Sequence, residues 1–127
     1  VFPVYFLERL KMPAFTAHVF ICTNQRPPGG RCCCDPHGEK ELQKRFKAEL
    51  DRRGLKAEIR ANAAGCLDQC ELGPAVVIYP QGIWYGRVTL EDVPRIVEET
   101  LVNGKIIPEL LIPERLLNTK QGWPKET

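Results

Sequence analysis

Apolar and polar positions change rhythm several times along the 127 residues, and each change marks an element. Ala17 to Cys22 (AHVFIC) is a short apolar run of buried-strand character with a cysteine at its end. Residues 23 to 33 (TNQRPPGGRCC) hold two prolines and two glycines and break any regular pattern. Asp35 then suits a helix cap and Pro36 the first helical position, and Leu42, Phe46 and Leu50 recur at helical spacing. Arg52 and Arg53 complement the negative end of that helix, which should stop near Gly54. Leu55 to Ala61 (LKAEIRA) alternates as a half-buried strand does. After Pro74, Ala75 to Tyr79 (AVVIY) is β-rich, Pro80-Gln81-Gly82 is turn chemistry and Ile83-Trp84-Tyr85 resumes, so 75 to 86 predicts a hairpin. Thr89 with Asp92 forms a capping-box pattern, and Val93, Ile96, Val97 and Leu101 supply one apolar helical face that ends at Asn103-Gly104. Pro94 would remove a backbone bond from a helix capped at Thr89; a start at Asp92 is the alternative, since it puts the proline in the first turn.

The element order is β-α-β-β-β-α. A β-α-β start calls for a parallel pair with a right-handed crossover, and the hairpin adds antiparallel strands. The expected class is α/β (α+β), a mixed four-stranded sheet with helices packed on it, in the thioredoxin-like arrangement. The length suits one domain, expected over residues 17 to 117, with 1 to 16 as an N-terminal extension and 118 to 127 as a C-terminal tail.

Charge narrows the function classes. The 18 basic and 16 acidic side chains leave a formal +2 and are spread along the chain, which argues against a nucleic-acid-binding stripe. No stretch reaches the roughly 18 apolar residues of a membrane span, and the opening VFPVYFLERLKMPAF lacks the basic start and small-residue cleavage site of a secretory signal. A cytoplasmic protein without membrane contact is expected; because the first residue is Val, the natural start stays open. The composition stands out in six cysteines against one methionine. In a reducing compartment clustered thiols serve as metal ligands or redox groups more often than as staples.

Four of the cysteines fall at loop edges that this fold could bring together: Cys22 ending the first strand, Cys34 before the first helix, and Cys66 and Cys70 in the loop before the hairpin. A 2Fe-2S cluster needs four thiolates, two per iron. Cys66 and Cys70 are four apart, so one helical turn would put both sulfurs on one side. Cys34 sits beside a helix N-terminus, where free N–H groups and the positive dipole end stabilise a thiolate. Gly65 and Gly73 allow close backbone approach to sulfur. A lone C-x3-C is a weak signal, and the full spacing matches neither the plant-type nor the bacterial two-cluster ferredoxin run.

HVFICTNQRPPGG (18 to 30), CDPHGEKEL (34 to 42), GCLDQCELGPAVVIYPQGIWYG (65 to 86) and VTLEDVPRIVEETLVNGK (88 to 105) together resemble the thioredoxin-like 2Fe-2S ferredoxins of bacteria. The resemblance covers nearly all of residues 17 to 117. It implies a one-electron carrier rather than an enzyme, a 2Fe-2S cofactor, redox partner proteins and frequent dimerisation. The family ligands carry over to Cys22, Cys34, Cys66 and Cys70. The loop reads GGRCCC where the family usually has G-H-P-x-G-S-C, so the second ligand is ambiguous among Cys32, Cys33 and Cys34. The CDPHG that follows favours Cys34, with Cys33 its nearest substitute. Pro94, and the added length of Ile107 to Pro113, also depart from the pattern without touching the site.

Other features have plainer readings. His18 and His37 do not show Rieske spacing and read as strand and first-turn residues. Trp84 and Tyr85 read as hairpin packing, with an electron path or dimer contact as the sharper alternative. Asp68 and Glu71 read as a solvated loop that could also orient a basic partner. Pro74 stands where thioredoxin-like folds often have a cis-proline, and its isomer is open. The alternative functions are a structural or regulatory zinc domain using the same four cysteines, a thiol-disulfide oxidoreductase, for which no C-x-x-C opens the first helix, and a subunit of an NADH-oxidising complex, whose added helical domain this sequence does not carry.

Overall fold

The computed structural model describes residues 16–23, 40–65, 67, 69–119 and 122–123. Its sheet is built on strand β1 (Ala17–Cys22), which lies between two neighbours. Strand β2 (Ile59–Ala64) runs parallel to it in the register Ala17 to Ile59 through Cys22 to Ala64. On the other side β3 (Val76–Tyr79) runs antiparallel, pairing Ile21 with Val76, and forms a hairpin with β4 (Ile83–Tyr85). The strand order β2-β1-β3-β4 is the expected mixed four-stranded sheet.

Alternation sorts the side chains. Ala17, Val19 and Ile21 of β1, Ile59 and Ala61 of β2, and Val76 and Ile78 of β3 share one buried face. Helix α1 (Glu41–Arg52) lays Phe46 and Leu50 on it, both buried. The start expected for this helix at Asp35 and Pro36 lies outside the described residues. Its end is a Schellman motif: Gly54, at φ +70°, donates to the Asp51 carbonyl (3.0 Å) and Leu55 donates to the Leu50 carbonyl (2.9 Å). Leu55 is thus the residue that closes the helix, and this corrects the strand expected over 55 to 61. The intervening residues are a turn, in which Ile59 N–H still bonds to the Leu55 carbonyl at 3.0 Å, and pairing with β1 begins only at Ile59 and runs on to Ala64.

The second helical region resolves the problem of Pro94. Residues Leu90–Asp92 form one 3₁₀ turn, with the Asp92 carboxylate accepting from the backbone N–H (2.8 Å) and hydroxyl (2.9 Å) of Thr89. Helix α2 (Val93–Arg95) follows with Pro94 in its first turn, where no helical N–H is lost, and widens into a π-helix over Ile96–Val102. Val93, Ile96 and Val97 are buried as expected, Thr100 is buried on the same face, and Leu101 is half-buried. Beyond it, Ile107 and Leu110 join the same core, and Ile112 and Leu116 build a smaller cluster around Leu72.

Candidate metal centre

The sheet topology converges on Cys22. This residue ends the central strand, is 3% exposed, and packs with Ala75 and Leu67. Its backbone N–H donates to the Ala75 carbonyl at 3.1 Å. On its other side it is in register with Ala64, the last residue of β2. Thr23 ties the two parallel strand ends together, because its amide and its hydroxyl both donate to the Ala64 carbonyl, each at 2.9 Å.

Residues 65 to 75 therefore leave the sheet at one neighbour of Cys22 and return at the other. This is the segment with the C-x3-C spacing. Cys66 follows Gly65 directly in the chain and lies outside the described residues. Cys70 opens a 3₁₀ turn, Cys70–Leu72, closed by the Leu72 N–H on the Gln69 carbonyl at 2.9 Å. The chain then passes through Gly73 and Pro74, joined by a cis peptide bond, to Ala75. The loop is thus pinned at both ends beside one buried thiol, that of Cys22.

Cys32, Cys33, Cys34, His37 and Asp68 also lie outside the described residues. Among the described residues there is no group of three or more His, Cys, Asp or Glu that could hold a metal ion. Cys22 offers a soft sulfur donor at the converging edge, a donor chemistry that suits iron-sulfur or zinc rather than a hard cation. Tyr85 is fully buried and its hydroxyl is hydrogen-bonded within the core, while Trp84 is half-buried against the Leu72 cluster, so both pack. His18 is a half-buried strand residue whose ring stacks on Phe20, with centroids 6.1 Å apart. Sequence reasoning missed Thr23, Gln69, Asn118 and Trp123, which brace the strand ends and the Cys70 turn; their contacts join residues some 40 to 50 apart and carry no periodic signal.

No family model matches the chain. Individual proteins do. A 2Fe-2S ferredoxin of Clostridium pasteurianum is 42% identical over 96 residues, which are 75% of this chain and 94% of that one. A 2Fe-2S ferredoxin of Aquifex aeolicus is 39% identical over 98 residues, 75% of this chain and 87% of the relative. The crystal structure of the thioredoxin-like 2Fe-2S ferredoxin from Aquifex aeolicus superposes with a TM-score of 0.73 at 37% identity, covering 80% of this chain and all of that one. The chain belongs to the thioredoxin-like 2Fe-2S ferredoxin family.

Proposed function

We propose that the protein is a one-electron carrier whose 2Fe-2S cluster is held by the thiolates of Cys22, Cys34, Cys66 and Cys70, two on each iron, with Cys33 as the substitute for Cys34. The observation that carries the ligand reading is the placement of Cys22 between Ala64 and Ala75, the two anchors of the loop that contains Cys66 and Cys70. When bound, such a cluster cycles between a diferric and a mixed-valence state. The chain's own part is to fix the thiolates, exclude water around Cys22 and present the loop edge to redox partner proteins. This assigns acid, base or nucleophilic chemistry to no side chain, and the protein acts as a carrier rather than an enzyme.

Family membership favours this reading over a zinc domain or a thiol-disulfide oxidoreductase. Thiolate ligands suit a reducing compartment such as the cytoplasm. Among the described residues no helix is long and apolar enough to cross a membrane. Homodimer formation is part of the same proposal, since the resemblance to this family implies it; on the sheet face turned away from the helices Phe20 lies edge-on to Tyr79, with centroids 6.0 Å apart.

The test is the visible and EPR spectrum of anaerobically purified Cys-to-Ser variants. Cys22→Ser, Cys66→Ser and Cys70→Ser should each lose the parent spectrum, whereas Cys32→Ser should keep it. Cys34→Ser should show an altered spectrum if Cys33 takes its place. A parent-like spectrum without Cys66 would overturn the ligand assignment.

A further inference from the structure

The C-terminal segment grips the Cys70 turn on both sides. Gln69, immediately before it, is 4% exposed, and Asn118 matches its side-chain amide twice. The Gln69 amide N–H donates to Asn118 Oδ1 at 2.6 Å, and Gln69 Oε1 accepts from the Asn118 backbone N–H at 2.9 Å. Asn118 has φ +65°, a left-handed conformation that asparagine tolerates better than most residues. Two residues beyond Cys70, the Leu72 carbonyl accepts from the Trp123 indole N–H at 3.1 Å and from the Arg87 backbone N–H at 3.0 Å. The Arg87 guanidinium lies over the Trp123 ring, 3.8 Å from its centroid. Beneath these bonds the Leu72 side chain is sealed by Ile112 and Leu116, with Leu117 and Trp123 packed against them.

We propose that this segment is a clasp on the ligand turn, in which Asn118 and Trp123 are positioning residues that hold the backbone on either side of Cys70 and so keep its thiolate on the cluster. The inference rests on Cys70 being a ligand. A thiolate that dissociates rebinds unless the turn that carries it opens, and opening strips the buried Gln69 amide and the Leu72 carbonyl of their partners. Buried polar groups resist that loss, so the clasp raises the cost of local opening without needing to change the stability of the whole domain.

The experiment measures first-order iron loss from the full-length holoprotein to excess EDTA, alongside its visible spectrum and its denaturant-unfolding midpoint. Trp123→Phe keeps a ring beneath Arg87 but has no N–H, Trp123→Ala loses both, and Asn118→Gly keeps the left-handed backbone while removing the side-chain oxygen. Iron loss should accelerate in all three, modestly in Trp123→Phe and by about tenfold in Trp123→Ala, the factor expected for a local opening that loses roughly one hydrogen bond and its aromatic cover. Val97→Ala, a core truncation outside the clasp, should lower the unfolding midpoint and leave iron loss at the parent rate. Rates within twofold of the parent in Trp123→Phe and Asn118→Gly, or equal acceleration by Val97→Ala, overturn the clasp; these variants decide the matter even where Trp123→Ala does not fold. Cys70→Ser separates the two readings. A parent-like spectrum in that variant overturns the ligand assignment and the clasp with it, whereas its loss together with unchanged iron release in the clasp variants overturns the clasp alone.

Discussion

Tyr85 Oη stands 2.7 Å from Thr100 Oγ1 inside the core, and the pair is one link in a relay of hydrogen bonds. The Ile107 backbone N–H donates to Tyr85 Oη at 2.9 Å, and the Thr100 hydroxyl donates to the Lys105 carbonyl at 2.8 Å. The tyrosine hydroxyl therefore donates to Thr100, and every group is satisfied. Tyr85→Phe leaves the Ile107 N–H without an acceptor and should cost about 1–3 kcal/mol in urea unfolding. Thr100→Val breaks the same relay, so the double variant should lose less than the sum of the two single losses.

Gly86 has no room for a side chain. A Cβ there would stand 2.4 Å from the Leu72 carbonyl oxygen and 2.9 Å from both the Ile112 and the Trp123 side chains. The nearest obstacle is backbone, held in place by the Arg87 and Trp123 bonds. Gly86→Ala should therefore lower stability by about 1–3 kcal/mol, read as a fall in the denaturant midpoint.

Glu49 is 7% exposed and receives Arg52 at 2.5 Å and Arg53 at 2.6 Å, while Arg53 also reaches Glu98 on the π-helix. The Arg52 hydrogen bond first, and then that of Arg53, hold the Glu49 carboxyl below its ordinary value of 4.5. Because the folded-state value is depressed, this stabilisation is complete above pH 4.5 and is lost as pH falls through the folded-state value. Glu49→Gln should thus be less stable than the parent at pH 7, and the difference in unfolding midpoint should shrink as both are acidified below that ordinary value. A difference that stays constant across the range would show that the arginines do not act through the carboxylate charge.

Cluster removal should change the net charge. The formal +2 of the sequence counts the cysteines as neutral. Four thiolates around a diferric, two-sulfide core bring about −2, so the oxidised holoprotein should be near neutral and the reduced one about −1. In native electrophoresis at neutral pH the oxidised holoprotein should migrate toward the anode relative to the apoprotein. Co-migration of the two forms would count against a four-thiolate site.

Local chemistry made some elements readable and left others hidden. Ala17 to Cys22 is a strand with the bounds its apolar run implies, and Gly54 ends the first helix because a left-handed cap favours glycine. The alternation in LKAEIRA misplaced the next strand because Leu55, an apolar residue in phase with Ile59, is used to close the helix instead. Val93, Ile96 and Val97 marked the inner face of the last helix, but a π-turn changes the angular step per residue and a 3.6-residue period cannot foresee it. Thr100, four residues after Ile96 and three after Val97, lies on that same face at ordinary helical spacing, but a polar residue gives no hydrophobic signal; inside, its hydroxyl is satisfied by Tyr85 and the Lys105 carbonyl. At the candidate site, the end of β1 at Cys22 was legible from residue types. The pairing of Gln69 with Asn118 was not, since nothing local to either residue requires the other.

The position of Cys22 bears on how fast an electron can cross. Transfer is slowed by whatever must rearrange when the charge of the acceptor changes, and fixed dipoles and ligands reduce that reorganisation. The end of β1 is bonded on one side through Ala75 and tied on the other through Thr23 to Ala64. If Cys22 is a ligand as proposed, these bonds would restrain its thiolate when the charge on the cluster changes. A cluster held there would exchange electrons with less rearrangement of its ligand, a restraint that the hydrogen bonds of the β1 end would supply.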